Sequence, residues 1–235
     1  MQIHSPLPAP RSPLSVLALP DALGRSAASP LHLVCLGAHA DDAEIGAGGA
    51  VLRLLAERPH VHVRWHVLSG GGTAREAEAR ASAAAFLGGA ASAAVDVHSL
   101  RDGLFPQDAE ALRAVVRDVR DAGPADLVLT HRLADAHQDH RAVAEATWQA
   151  FRGMPRIAAY EIPKWDGDLG RPNAYVVLDD ATAARKTALL AAHFPSQAAK
   201  PWFDAETFRA LLRVRGVEAY ARYAEAFDCP KLVWR

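Results

Sequence analysis

His39, Asp41 and Asp42 stand together immediately after the apolar run Leu33-Val34-Cys35-Leu36, and His137, Asp139 and His140 form a second cluster shortly after Leu127-Val128-Leu129. Two histidines and one carboxylate with open positions are the donor set of a catalytic zinc, or of another divalent transition metal. Such a set offers borderline nitrogen, hard oxygen and a vacancy for water. His39, Asp42 and His140 fit that requirement, His39 and Asp42 from one loop and His140 from the other. Asp41 cannot share the direction of Asp42 in a turn, so it is free to take a proton from the activated water as general base. His137, three residues before His140, is expected across the substrate as an imidazolium that stabilises an oxyanion or protonates a leaving amine. Asp139 then fixes the tautomer of a neighbouring histidine. An ionised Asp41 working with a protonated His137 predicts a bell-shaped pH–rate profile. Together the parts describe metal-assisted hydrolysis.

Each signal alone has a plainer explanation. AHADD could be a turn ending in an N-capping aspartate, and a single loop histidine is usually solvated. Two such clusters at the ends of two strands outweigh it. His60, His62, His66, His98 and His193 are scattered singly and are read as structural or surface residues.

The elements that must position these side chains follow from periodicity. The run 33–36 reads as a buried strand; a glycine-rich turn with Gly46, Gly48 and Gly49 then opens a helix through Leu52, Leu54 and Leu55. Val61–Leu68 alternates as a half-buried strand, Ala74–Leu87 is a helix, Ala94–His98 a strand, Asp108–Ala122 a helix and Asp126–Thr130 a strand. The loop 131–140 leads into a helix from about Arg141 to Phe151. Strands are expected at 157–162 and 174–178, helices at 180–192, 203–212 and 216–227, and a last short strand at 231–234. This alternation predicts an α/β, Rossmann-like, mostly parallel sheet with helices on both faces, in a single domain over 31–235. Residues 1–30 read as an extended arm with one short helix near 14–23. Both clusters fall at carboxyl ends of strands, where an open α/β sheet forms its crevice.

Composition narrows the partners. The 235 residues carry a net charge of -1, which gives no electrostatic reason for nucleic acid or an anionic membrane. No apolar run is long enough for a membrane span, and prolines interrupt the N-terminal stretch wherever a signal peptide would need continuity. Two distant cysteines, one of them inside the first strand, fit soft core residues and a reducing, cytoplasmic compartment. A small-molecule substrate is expected, and homo-oligomerisation is left open.

The residues also resemble a known family, the zinc-dependent de-N-acetylases called PIG-L or LmbE-like. Its first motif, AHxDD with a Gly-rich helix start, is matched by Ala38-His39-Ala40-Asp41-Asp42 with Glu44-Ile45-Gly46 and Gly49; its second, HxDH, by His137-Gln138-Asp139-His140. The resemblance implies His39, Asp42 and His140 as ligands of Zn2+, Asp41 as base, and His137 with Asp139 as a charge-stabilising pair. It further implies Arg75, in the RxxE pair with Glu78, and Asp102, in a DG pair with Gly103, as substrate-binding residues; Arg75 could equally be a helix residue paired with Glu78. Ser196-Gln197, Arg215-Gly216 and 223–227 also recur in relatives. The loop Ser69-Gly70-Gly71-Gly72-Thr73 departs from the family's TxGE-like run, which puts its substrate role in doubt, and its glycine amides could instead meet a substrate phosphate. The implied activity removes the acetyl group from an N-acetylglucosamine-type conjugate and releases acetate. The alternatives are an amidase of another small N-acyl or mycothiol-type conjugate, or a non-catalytic sugar-nucleotide-binding protein.

Overall fold

Leu31–Gly37 forms β1, and its alternate side chains enter two separate cores. Leu33 and Cys35 face one, Val34 and Leu36 the other. A strand apolar on both faces must be covered on both. The computed structural model describes residues 28–153 and 156–231, so the expected helix near 14–23 lies outside the described residues, as does nearly all of the expected last strand. β2 (Val61–Ser69), β3 (Ser92–Leu100), β4 (Leu127–His131) and β5 (Ile157–Tyr160) join β1 in parallel. β6 (Ala174–Leu178) and β7 (Tyr223–Asp228) complete a seven-stranded sheet of order β3-β2-β1-β4-β5-β7-β6, in which β7 runs antiparallel to both neighbours.

Six α-helices among the described residues cover the sheet. α1 (Asp42–Glu57), α2 (Ala74–Phe86), α5 (Asp180–His193) and α6 (Ala205–Glu218) pack on one face, α3 (Ala109–Asp121) and α4 (Gln138–Ala150) on the other. The expected mostly parallel α/β architecture is what forms. β1 and β4 are adjacent although three helices and two strands separate them in sequence, so the chain reverses direction across the sheet between them. The crevice of an open sheet lies at that switch point.

Three local expectations are corrected. The glycines of 46–49 lie inside α1 rather than in a turn, because large side chains press on them: a Cβ on Gly46 would sit within the Tyr160 ring, and one on Gly48 would meet Phe86. α4 begins at Gln138, three residues early, so His137 becomes its N-cap and Asp139 and His140 its first turn. The segment 216–227 does not form a helix of its own: 216–218 end the preceding helix. α6 runs from Ala205 to Glu218, and 223–228 is the strand β7. Helix-favouring Ala and Glu give way there to tertiary pairing, since Glu225 is turned inward. It accepts the Gly49 and Ala50 amides at 2.8 and 2.6 Å and pairs with buried Lys186 at 2.5 Å, while Lys186 also donates to the Ile45 carbonyl. The ion pair thus clips β7 and α5 onto α1. Arg215 likewise makes a buried bidentate pair with Glu161, at 2.6 and 2.7 Å. Arg215 and the 223–227 segment are therefore fasteners of the sheet.

Candidate active site

β1 and β4 deliver their loops side by side. Asp41 takes the N-cap position of α1 yet makes no capping hydrogen bond, so the plainer reading of AHADD fails and its carboxylate is left for other work. Asp42, one residue on, turns back: its Oδ2 accepts the His39 amide at 2.7 Å and lies 3.3 Å from His39 Nδ1, and its Oδ1 lies 3.4 Å from His140 Nε2. His39 Nδ1 and His140 Nε2 are themselves 3.3 Å apart. One donor atom from each of His39, Asp42 and His140 lies within 4.8 Å of the others, a spacing one ion can span.

The outer nitrogens decide what the inner ones can do. His39 Nε2 meets Asp139 Oδ2 at 3.2 Å and Asp102 Oδ1 at 3.0 Å; His140 Nδ1 meets Asp135 Oδ2 at 3.1 Å. Carboxylates at the outer positions draw the ring protons outward, so two lone pairs face each other beside a carboxylate. A cation satisfies that arrangement, and the carboxylate–histidine pairing is how proteins orient metal-ligating imidazoles. Without an ion, protons take that place. Burial lowers both histidines, but Asp42 and the outer carboxylates outweigh it, holding His39 well above the usual imidazole value and His140 up at about 9. Burial pushes Asp42 up, yet His140, His131 and His39 hold it well below the usual carboxylate range.

Asp139 serves as the carboxylate of a neighbouring histidine, and that histidine is His39. It does not pair with His137; its carboxylate accepts the Gly103 amide at 2.6 Å and the Phe105 amide at 3.0 Å, and meets His39. Gly103, at φ 76°, turns its N–H onto that carboxylate, a conformation that favours glycine. The Asp102-Gly103 pair is thus pinned by the first turn of α4 and carries Asp102 to His39 Nε2.

His137 is expected to act as an imidazolium, and its surroundings work against the charge. As N-cap of α4, its Nδ1 accepts the Asp139 amide at 3.3 Å. Burial, then the charges at His140 and His39, lower its pKa below the ordinary 6.5. This lowering favours the neutral ring, and an Nδ1 that accepts leaves the ring proton to Nε2, a hydrogen-bond donor.

Asp41 is buried, 3.4 Å from Arg75 Nη2; burial and then Asp42 raise its pKa above 3.8, which makes it a stronger base near neutrality. Arg75 is itself held by Glu78 at 2.7 Å and by Ser196 at 2.8 Å, so it pairs along its helix while lining the cleft. The glycine loop lines the same cleft, but its amides are engaged. Gly71 donates to the His98 carbonyl, Gly72 to Glu76 and Thr73 to the Gly70 carbonyl, which leaves a phosphate cradle without its donors.

Sequence reasoning missed His131 and Asp135. Fully buried His131 stacks on the His140 ring at 4.0 Å and reaches Asp42 Oδ2 at 3.2 Å, while Asp135 accepts the His137 amide at 2.8 Å and pairs with Lys164 at 3.1 Å. His131 closes β4, and only the position directly beneath the cluster could have marked it out. Glu44 is buried with both oxygens unbonded, and burial raises it to about 8. A folded-state pKa above the unfolded one gives stability that is present below pH 4.5 and lost as pH rises through 8. The stability of Glu44→Gln relative to the native chain should therefore grow by on the order of 4 kcal/mol between those limits. Urea unfolding of metal-free protein at pH 4.5 and 8.5 measures it, and an equal difference at both would place the Glu44 proton elsewhere.

His39, Asp41, Asp42, His137 and His140 open on one cleft of about 660 Å³, the size of a small-molecule site. A family model described as GlcNAc-PI de-N-acetylase, PIG-L, matches residues 34–151, the span that holds both clusters. An uncharacterized deacetylase of Escherichia coli K12, YaiS, is 31% identical over 153 residues, covering 62% of this chain and 81% of that protein. The chain belongs to the PIG-L family. Its fold is shared with the N,N'-diacetylchitobiose deacetylase of Pyrococcus horikoshii, at TM-score 0.63 and 21% identity over 89% of this chain and 88% of that one. It is shared as well with GalB, a 4-carboxy-2-hydroxymuconate hydratase of Pseudomonas putida KT2440, at TM-score 0.65 and 20% identity over 87% and 99%. The PIG-L fold therefore hosts more than one reaction, and the reaction has to be argued from the site. Among the described residues no helix is long and apolar enough to cross a membrane.

Proposed function

We propose that this PIG-L deacetylase is a zinc-dependent hydrolase that removes the acetyl group from an N-acetylglucosamine-type conjugate, releasing acetate and a free amine. The single observation that carries it is the inward triangle of His39 Nδ1, Asp42 and His140 Nε2, with carboxylates on both outer nitrogens and Asp41 beside it in the same cleft. His39, Asp42 and His140 would hold the ion, zinc suiting two nitrogens and one oxygen. A divalent ion there supplies Lewis acidity and brings the pKa of a water down to about 7.

The chain's own residues do the rest. Asp41 accepts a proton from the attacking water as its oxygen bonds to the acetyl carbon. His137 Nε2–H donates to the developing oxyanion from a neutral ring, so no proton is lost from it. Asp41 returns its proton to the departing nitrogen as the carbon–nitrogen bond breaks. Asp102 and Arg75, at the cleft wall, are the substrate-facing residues, and the reducing, cytoplasmic setting read from the cysteines suits free Cys35 and Cys229.

Acetate release from a panel of N-acetyl sugars and glycosides by metal-loaded protein tests the reading. Hydration of an unsaturated carboxylic acid without acetate release would favour the hydratase chemistry of the GalB type instead. The pH profile separates the two roles of His137. With Asp41 ionised and His137 neutral, kcat/KM should rise through a pKa above the ordinary carboxylate value and then hold level to pH 8. A falling limb near pH 6 that disappears in His137→Gln would restore the imidazolium and the bell.

A further inference from the structure

The cleft mouth carries groups that the deacetylation chemistry does not use. Trp165, in the loop after β5, is 70% exposed, an unusual position for the largest apolar side chain. Its ring meets that of Trp202 at 89° and 6.0 Å, so Trp202 braces it from the side and leaves a flat indole face open. Lys200 holds its ammonium 5.4 Å from the Trp202 ring. All three line the cleft that contains His39 and Asp41.

The other cations of this cleft are matched. Arg75 pairs with Glu78, Arg101 with Asp108, and Lys164 with Asp135, Asp166 and Asp168. Lys200 has no carboxylate within ion-pair distance among the described residues, and its charge is felt at Asp41. A bare ammonium beside an exposed, braced indole is suited to a ligand that is flat on one side and negatively charged at its edge.

Building on the deacetylase reading, we infer that Trp165, Trp202 and Lys200 form a subsite for the aglycone, and that the substrate is an amino-sugar conjugate whose aglycone is a flat ring bearing an acidic group. The indole of Trp165 stacks on the ring and Lys200 takes the anion. The N-acetyl group then reaches Asp41 at the inner end of the cleft.

Four N-acetylglucosamine derivatives test it: the methyl, phenyl and 4-carboxyphenyl glycosides, and N,N'-diacetylchitobiose, whose second sugar offers a neutral pyranose face. The native enzyme should prefer phenyl over methyl about fivefold in kcat/KM, and 4-carboxyphenyl over phenyl about fivefold more at low salt. Trp165→Ala should erase the first ratio and Lys200→Gln the second, and chitobiose, if the platform also accepts a pyranose, should respond to Trp165 but not to Lys200. Binding of the same compounds to Asp41→Asn protein, read by calorimetry, gives a measure independent of turnover. Equal hydrolysis of all four, or variants that shift all four equally, would overturn the subsite and leave the deacetylase standing. Binding of the 4-carboxyphenyl glycoside that depends on both residues, with no acetate from any compound, would keep the subsite and overturn the deacetylase. Absence of both binding and hydrolysis would overturn both.

Discussion

Asp41→Asn should lower kcat by about 10³-fold, within the range that general bases contribute, while the protein keeps its metal. The residue touches none of His39, His140 or Asp135 by hydrogen bond or ion pair, and it makes no capping bond whose loss would loosen α1. Asparagine preserves its shape and removes its proton affinity. The effect must therefore appear in turnover, with metal content and unfolding midpoint close to native. If Asp41→Asn loses metal along with activity, the carboxylate is a ligand and the base lies elsewhere. Retention of full activity would remove Asp41 from the reaction altogether.

Asp42→Ala should do the opposite, losing the ion and all measurable turnover together. Its carboxylate is the only acidic member of the inward triangle and the neighbour of both ring nitrogens. Removing it leaves two imidazoles whose lone pairs face each other. Metal affinity should fall by more than the roughly 10- to 100-fold that an outer-shell partner costs. Asp135→Asn, which touches only the outer nitrogen of His140 within the triangle, should fall inside that range. Competition with a chromophoric chelator gives both affinities on one scale. Asp42 also accepts the His39 amide, so Asp42→Asn, which keeps an acceptor there, guards against a variant that merely misfolds. Equal losses for Asp42→Asn and Asp135→Asn would mean that the ion sits on another donor set, such as His131, Asp135 and His140.

The arrangement of the outer carboxylates ties these effects to the fold. Asp139 answers to two backbone amides of the β3–α3 connection as well as to His39, so the ligand's orientation depends on a loop two strands from its own. Asp135 joins His140 to Lys164 and, through Lys164, to the segment that carries Trp165. The groups that would hold an ion and those that would choose a substrate therefore share supports.

Much of this was legible in the residues. The short continuous apolar runs of β1 and β4, the alternation of β2 and the alanine-rich α2 are told apart by length, period and propensity, and the strand–helix alternation leads to a parallel sheet covered on both sides. His39, Asp41, Asp42, His137 and His140 stood out because ionisable groups rarely follow buried strands without a task. Other features depended on partners far away in sequence. The YAEAF segment has helical composition and becomes a strand, because β5 and β6 offer free edges and the Gly49 and Ala50 amides require Glu225. The glycines near 46 look like a turn and become a helix face, because Tyr160 arrives against them.

By itself the sequence determined the layered α/β fold, the two loops that meet and the chemical types of the groups in them, since these follow from local period and from side-chain chemistry. Tertiary structure alone decided which carboxylate serves which histidine, that His137 caps a helix, that His131 and Asp135 stand behind the cluster, and that one lysine at the cleft mouth has no acidic partner among the described residues. The reason is physical: a proton's position and a charge's strength depend on distances of about 3 Å between residues up to a hundred positions apart, and no local pattern encodes them.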